Sequence, residues 1–397
     1  MTTTIIDNLK KEPWIIGLHK YTNIYIVGGC VRDSLMNQSM KDIDLIVEGL
    51  SLNGVKDILN SYGNVDIVGQ SFSVLKFKPI GYNGEAYDIA VPRIDIKTGD
   101  GHKGFEVKTE GIGVLEDLKR RDFTINSIAI NIFTNEILDP FNGVEDIKNK
   151  IIRATDPSAF IEDPLRILRA VQFASRFRMN IEPTTLSLMK SHSHLIIKIS
   201  SERILSEFDK IILKKGSTKI AFQVMWDSDL DKGLFFKKFI NNDFTFLDNL
   251  DKVSFYYVLA NLGNVNPYDF YKFNLKGDYH TAKALMLLDK NFDKLNYLSE
   301  EDLRWTIFKM LKVSTILLNV KIFPPKVIEV IKLMKTKVIP MQFGDIPVNG
   351  NDIISLFDVS DIRVGQIINQ MYKDALMVKF NWKNKEKTIL YIKKFIY

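Results

Sequence analysis

Residues 24–49, IYIVGGCVRDSLMNQSMKDIDLIVEG, constrain the fold more tightly than any other stretch of the chain. An apolar run ends in Gly28 and Gly29. A short segment with Arg32 and Asp33 follows, and a second apolar run carries Asp42 and Asp44 at its start. Apolar, β-branched runs broken by glycine read as strands joined by tight turns. Side chains two apart on a strand share a face, so Asp42 and Asp44 are expected side by side on a partly buried sheet. Carboxylates that close repel each other unless a positive charge sits between them, and a hard divalent cation such as Mg²⁺ suits the pair. Glycine lets the backbone approach a phosphate. A helix beginning near Cys30 or Val31 would turn its first amides toward a triphosphate, with Arg32 as a charged fork. Together these features point to phosphate chemistry on a nucleotide.

The rest of the chain divides in two by pattern. Short β-branched runs at 24–27, 43–47, 65–68, 74–78 and 87–91 predict strands, and 53–59 and 114–120 predict helices. This is a mixed α/β arrangement around one sheet. From about residue 162 glycines thin out, and apolar residues recur at three- and four-residue spacing over 164–177, 202–213, 302–311 and 362–376. That spacing predicts a mostly helical remainder. The end of the chain, 379–394, is rich in lysine with aromatic residues between. The 397 residues carry a net charge of +6, a mild basic bias compatible with a polyanionic partner. A lone cysteine, Cys30, excludes an internal disulfide framework and a cysteine-based zinc site. No apolar run approaches the roughly 20 residues of a membrane helix. The first residues, MTTTIIDNLKKEPW, lack the apolar core of a signal peptide. A cytoplasmic protein with no membrane partner is expected.

Further candidates lie outside the first block. A third carboxylate commonly joins a metal-holding aspartate pair, and Asp88 in EAYDIAVPR is the first choice, with Glu85 and Asp95 as alternatives. In LEDLKRRDFTINSIAI, residues 115–130, Arg121 adjoins the apolar run and could reach a phosphate or ribose. In EDPLRILRAVQFASRF, residues 162–177, Asp163, Arg166 and Arg169 recur every three residues. They read either as a solvated ion-pair stripe or as a set that recognises a base edge, since a carboxylate accepts from an exocyclic amine and arginine donates to ring acceptors. His192 and His194 have no acidic partner at ligand spacing, and no Walker-type phosphate loop is present.

These blocks, in this order, resemble the class II tRNA nucleotidyltransferases (CCA-adding enzymes) and bacterial poly(A) polymerases. The resemblance rests on GGCVRD with DID, RRDFTINSIAI, DPFNGVEDI, EDPLRILRAVQF and SERILSEFDKII, and is strongest over residues 24–213. It implies a nucleotidyltransferase head of the DNA polymerase beta type over 1–145, then an all-α neck (146–215), body (216–338) and tail (339–397). It implies addition of CCA to tRNA 3′ ends from CTP and ATP, with poly(A) addition, or RNA binding without catalysis, as alternatives. By position, Asp42 and Asp44 would hold Mg²⁺. Gly28, Gly29 and Arg32 would meet the triphosphate, and Arg121 the nucleotide. Asp163 and Arg166 would pair with the base, and Arg169 would help place the nucleotide. Residues 92–107 fall in the family's flexible loop. Asn37 stands where many members carry glycine, Ser127 replaces a frequent alanine, and Gln172 stands where many carry a second helical arginine.

Overall fold

The computed structural model describes residues 2–38, 42–68, 74–97, 105–235, 238–240, 243–244, 247–295, 297–313, 325–340, 342–357, 359 and 361–396. The chain forms two compact units. One comprises Met1–Ser200 with Val224–Phe236, the other Ser201–Gln223 with Lys237–Tyr397.

Nine strands shape the first part of the first unit: β1 Asn23–Val27, β2 Asp44–Glu48, β3 Gly63–Val68, β4 Val74–Pro79, β5 Tyr87–Ala90, β6 Ile94–Lys97, β7 Phe105–Lys108, β8 Ala129–Asn131 and β9 Ile137–Leu138. Seven of them form one mixed sheet in the order β3-β4-β5-β2-β1-β8-β9. Its only parallel pair is β2 with β5, and the other neighbours run antiparallel. The mixed α/β sheet expected from the sequence is present. The β6–β7 hairpin was not anticipated, and residues 98–104 of the expected flexible loop lie outside the described residues.

The two-residue alternation of strands gives the sheet two unlike faces. Ile24, Ile26, Leu45, Val47, Leu75, Phe77, Ile89 and Ile130 point to one side and build the main core with Trp14, Leu18, Val55 and Leu59 from flanking helices. Burying such side chains stabilises the fold by about 1.5–3 kcal/mol each. Tyr25, Val27, Ile46 and Ala129 point the other way and meet Val114 and Leu118 of the Val114–Lys119 helix. That second face also carries Lys76, Asp88 and Asp44, whose strands lie next to one another. One sheet face thus makes the main core, while the other carries a smaller apolar cluster and the charges of Lys76, Asp88 and Asp44.

Beyond the sheet the described residues of this unit are largely helical, led by Leu165–Phe177 and Pro183–His192. All described elements of the second unit are helical, including Ser201–Leu213, Lys252–Leu262, Tyr279–Asn291, Glu300–Val313 and Asp361–Leu376. Within it, Lys252 bonds Asp209 at 2.9 Å, Tyr256 donates to the same carboxylate at 2.8 Å, and Tyr271 donates to Asp278 at 2.8 Å. These bonds fasten the SERILSEFDKII helix to the helices that follow.

Candidate active site

The glycine turn between β1 and the Gly29–Leu35 helix is set by its backbone. Gly28 has φ 74° and ψ −133°, a conformation closed to side-chain-bearing residues. A Cβ there would lie 2.7 Å from Arg121 Nη1 and 3.7 Å from Asp44 Oδ2. The torsion demands glycine, and the turn is where Arg121 and Asp44 converge. Gly28→Ala should therefore displace Arg121 and destabilise the fold by about 1–3 kcal/mol, read as a lower melting temperature. Asn37, at the far end of the same helix, has φ 57°. Asparagine tolerates that left-handed conformation better than most side-chain-bearing residues.

Asp44 opens β2, while Asp42 lies just ahead of it, so the strand starts one residue later than the sequence pattern suggests. Both carboxylates line a cavity of about 380 Å³ with Ile43, Lys76, Glu85, Ala86 and Asp88. Asp88 pairs in register with Asp44 across the parallel β2–β5 contact. Burial, with repulsion from Asp88 and Asp42 added, lifts the Asp44 carboxyl to about 6 against the pull of the Arg121 guanidinium.

Asp42 and Asp44 suit a hard divalent cation. Each presents carboxylate oxygens to one cavity, and no side-chain hydrogen bond or ion pair to a described residue engages either. The third carboxylate is different: Asp88 Oδ1 accepts from Lys76 Nζ at 2.7 Å. Among the described residues no three histidine, cysteine or acidic side chains gather closely enough to hold a metal by themselves. Glu85 lies in the same cavity. The side chain of Asp95 is outside the described residues.

Arg121 is held by a residue that sequence reasoning missed. Asp117, 1% exposed, accepts from Arg121 Nε at 3.2 Å and Nη2 at 3.0 Å through one oxygen. Through the other it accepts from Arg120 Nε at 2.9 Å and Nη2 at 2.6 Å. Burial raises the Asp117 carboxyl, but Arg121 and Arg120 outweigh it and hold the group below its ordinary value. The available signal was an acid three and four residues ahead of two arginines on one helix.

Arg32 is not an open fork. It is buried, with Nε and Nη2 on Asp33 Oδ1 at 2.8 and 2.6 Å and Nη1 on Asn126 Oδ1. Its guanidinium lies 5.3 Å from the Phe173 ring centre and 4.6 Å from that of Phe177. Asn126 also donates to Asp122 Oδ1 at 2.9 Å. The TIN segment therefore links the glycine-turn helix to the Leu165–Phe177 helix. Ser127 is buried with its hydroxyl satisfied by Phe123 O at 3.0 Å and Thr155 Oγ1 at 2.8 Å.

Asp163 precedes the Leu165–Phe177 helix, where its Oδ1 accepts from the Leu165 amide at 3.1 Å. The arginines of that helix bond back to the RRD segment. Arg166 Nη2 donates to Arg120 O at 2.7 Å, and Arg169 Nε to Asp122 Oδ2 at 2.6 Å. Arg166 Nη1 is buried without a hydrogen-bond partner. Such an orphan donor costs about 1–3 kcal/mol. A solvated stripe does not describe these contacts. Gln172 is buried. His192 bonds its own helix at Leu188 O, as expected for a structural residue.

Residues 24–153 match the family described as the poly A polymerase head domain, and residues 178–241 the probable RNA and SrmB-binding site of polymerase A. The CCA-adding enzyme of Lactobacillus helveticus is 39% identical over 210 residues, covering 52% of this chain and 50% of that protein. The multifunctional CCA protein of Aliivibrio salmonicida is 39% identical over 198 residues, covering 48% and 46%. The chain thus spans about half the length of the curated relatives it matches. In fold the likeness is wider. The Bacillus stearothermophilus CCA-adding enzyme in complex with CTP superposes with a TM-score of 0.67 at 22% identity, over 99% of this chain and 96% of that one. The Thermotoga maritima CCA-adding enzyme complexed with tRNA gives 0.69 at 22%, over 99% and 95%.

Proposed function

We propose that this chain is a CCA-adding enzyme, completing or repairing tRNA 3′ ends from CTP and ATP, a reading supported by the match of residues 24–153 to the poly A polymerase head domain and of residues 178–241 to the probable RNA and SrmB-binding site of polymerase A. One observation carries the proposal. The arginines that follow Asp163 are bonded to the RRD segment, and that segment delivers Arg121 to the glycine turn beside Asp44. A base read at the helix is thereby held at a fixed distance from the acid pair, with no nucleic-acid template.

In the reaction the tRNA 3′-hydroxyl attacks the α-phosphate. A new O3′–P bond forms, the bond to the β-phosphate bridge breaks, and pyrophosphate leaves. Asp42 and Asp44 would hold Mg²⁺, which when bound supplies charge neutralisation and alignment for in-line transfer. The Gly28–Gly29 turn admits the phosphate chain closely. Arg121 adds a fixed positive charge at that turn. Arg32, buried under Phe173 and Phe177, serves the triphosphate by holding the glycine-turn helix in place. Asp163 and Arg166 would present an acceptor and a donor to the base. Arg169, fixed by Asp122, helps place the nucleotide. The neck, body and tail over 146–397 and the lysine-rich end would grip the acceptor arm, by shape and charge more than by sequence. The working place is the cytoplasm; no helix among the described residues is long and apolar enough to cross a membrane.

Poly(A) addition is the rival reading, since it uses the same motifs. ATP alone tells the two apart. A CCA-adding enzyme adds one A to tRNA ending in CC and essentially none to tRNA lacking all three residues. Long A runs on both substrates, and on unrelated RNA, would favour the rival.

A further inference from the structure

The row that carries Asp44 and Asp88 has another member. β4 pairs with β5 so that Lys76 stands opposite Asp88, and β5 pairs with β2 so that Asp88 stands opposite Asp44. Residues opposite one another in register point to the same face. Lys76 and Asp88 line the cavity together with Asp42 and Asp44. The Lys76–Asp88 pair is 47% and 40% exposed, and pairs of that exposure contribute little to folding. Its place therefore calls for a reason other than stability. An ammonium on the third carboxylate fills the position where a cation's charge would otherwise fall.

We propose, on the metal-site reading above, that Lys76 is a positioning residue that occupies Asp88 as its counter-ion, so that the nucleotide-free head binds divalent cation weakly and through Asp42 and Asp44 alone. Two effects act together. Asp88 is withheld as a ligand, and a positive charge is fixed beside the cation. A unit charge and a divalent ion roughly 5 Å apart in a water-like dielectric repel enough to weaken binding about tenfold. The cation then enters with the triphosphate, whose negative charge both carries it and competes for the lysine.

The test is a Mn²⁺ titration of the full-length, nucleotide-free protein at low salt, with free Mn²⁺ read by electron paramagnetic resonance. Lys76→Met should bind Mn²⁺ about five- to tenfold more tightly than wild type, and Lys76→Met with Asp88→Asn should lose that gain. Because the pair is exposed and the double variant removes both of its charges, the double variant should melt like wild type. Unchanged affinity in Lys76→Met, or a gain that survives Asp88→Asn, overturns the proposal. Asp44→Asn separates the two levels. If it leaves wild-type Mn²⁺ binding intact, the metal-site reading fails and takes this inference with it. If it abolishes binding while Lys76→Met gains nothing, only the role of Lys76 falls.

Discussion

Asp44→Asn should abolish nucleotide transfer, by on the order of a thousandfold or more, while making the metal-free protein more stable. Both effects come from one carboxylate. Burial first, then repulsion from Asp88 and Asp42, lift Asp44 to about 6, with Arg121 and Lys76 offsetting part of the rise. An aspartate in the unfolded chain titrates near 4. The folded state thus binds more protons between those values, and stability falls as pH rises through about 6. Above that the head carries a charge its surroundings disfavour, which a divalent cation relieves. Asparagine removes the charge and the ligand together. The metal-free variant should melt higher than wild type at pH 7.5, by roughly 2 °C, and the gap should close below about pH 4. Added Mn²⁺ should raise the wild-type melting temperature and leave the variant's unmoved. Unchanged transfer by the variant would refute the assignment of Asp44.

The second large effect concerns Asp117. Its carboxylate takes four hydrogen-bond contacts from Arg120 and Arg121 while almost wholly buried. Asp117→Ala leaves two guanidinium groups facing each other without their shared anion. The arginine side chains are 23% and 20% exposed, so solvent screens part of the penalty, and a loss of about 2–4 kcal/mol is expected. Freed from its clamp, Arg121 no longer holds its position at the Gly28 turn. KM for the nucleotide should rise by more than tenfold even at temperatures where the variant is folded. Asp117→Asn, which keeps acceptor capacity and loses the charge, should fall between. A variant alanine protein with wild-type melting and KM would show that Arg121 is positioned by something else.

What the sequence made legible was local. Two adjacent glycines after an apolar run demand a backbone that other residues avoid, and Gly28 has it. Two aspartates one residue apart at a strand start imply shared repulsion, and Asp44 shows it. Helix periodicity placed Leu165–Phe177 within a residue. What stayed hidden depends on partners distant in sequence. The Lys76–Asp88–Asp44 row exists only through strand registers, which no single run of residues reveals. Arg32 looks like an exposed fork from its neighbours GGCVRD, yet Phe173 and Phe177, from a helix far along the chain, cover it. The arginines of the EDPLR helix read either as a solvated stripe or as a base-reading set, because periodicity reports a face and not its partner. The partner here is the RRD segment.

The most direct test of CCA addition is the sequence of the product. The protein is incubated with tRNA lacking its last three residues, with CTP, ATP and Mg²⁺ all present, and the new 3′ ends are read nucleotide by nucleotide. The account predicts C, C and A in that order and then arrest, with unrelated RNA left unextended. Runs of A without C, on tRNA and unrelated RNA alike, would contradict it.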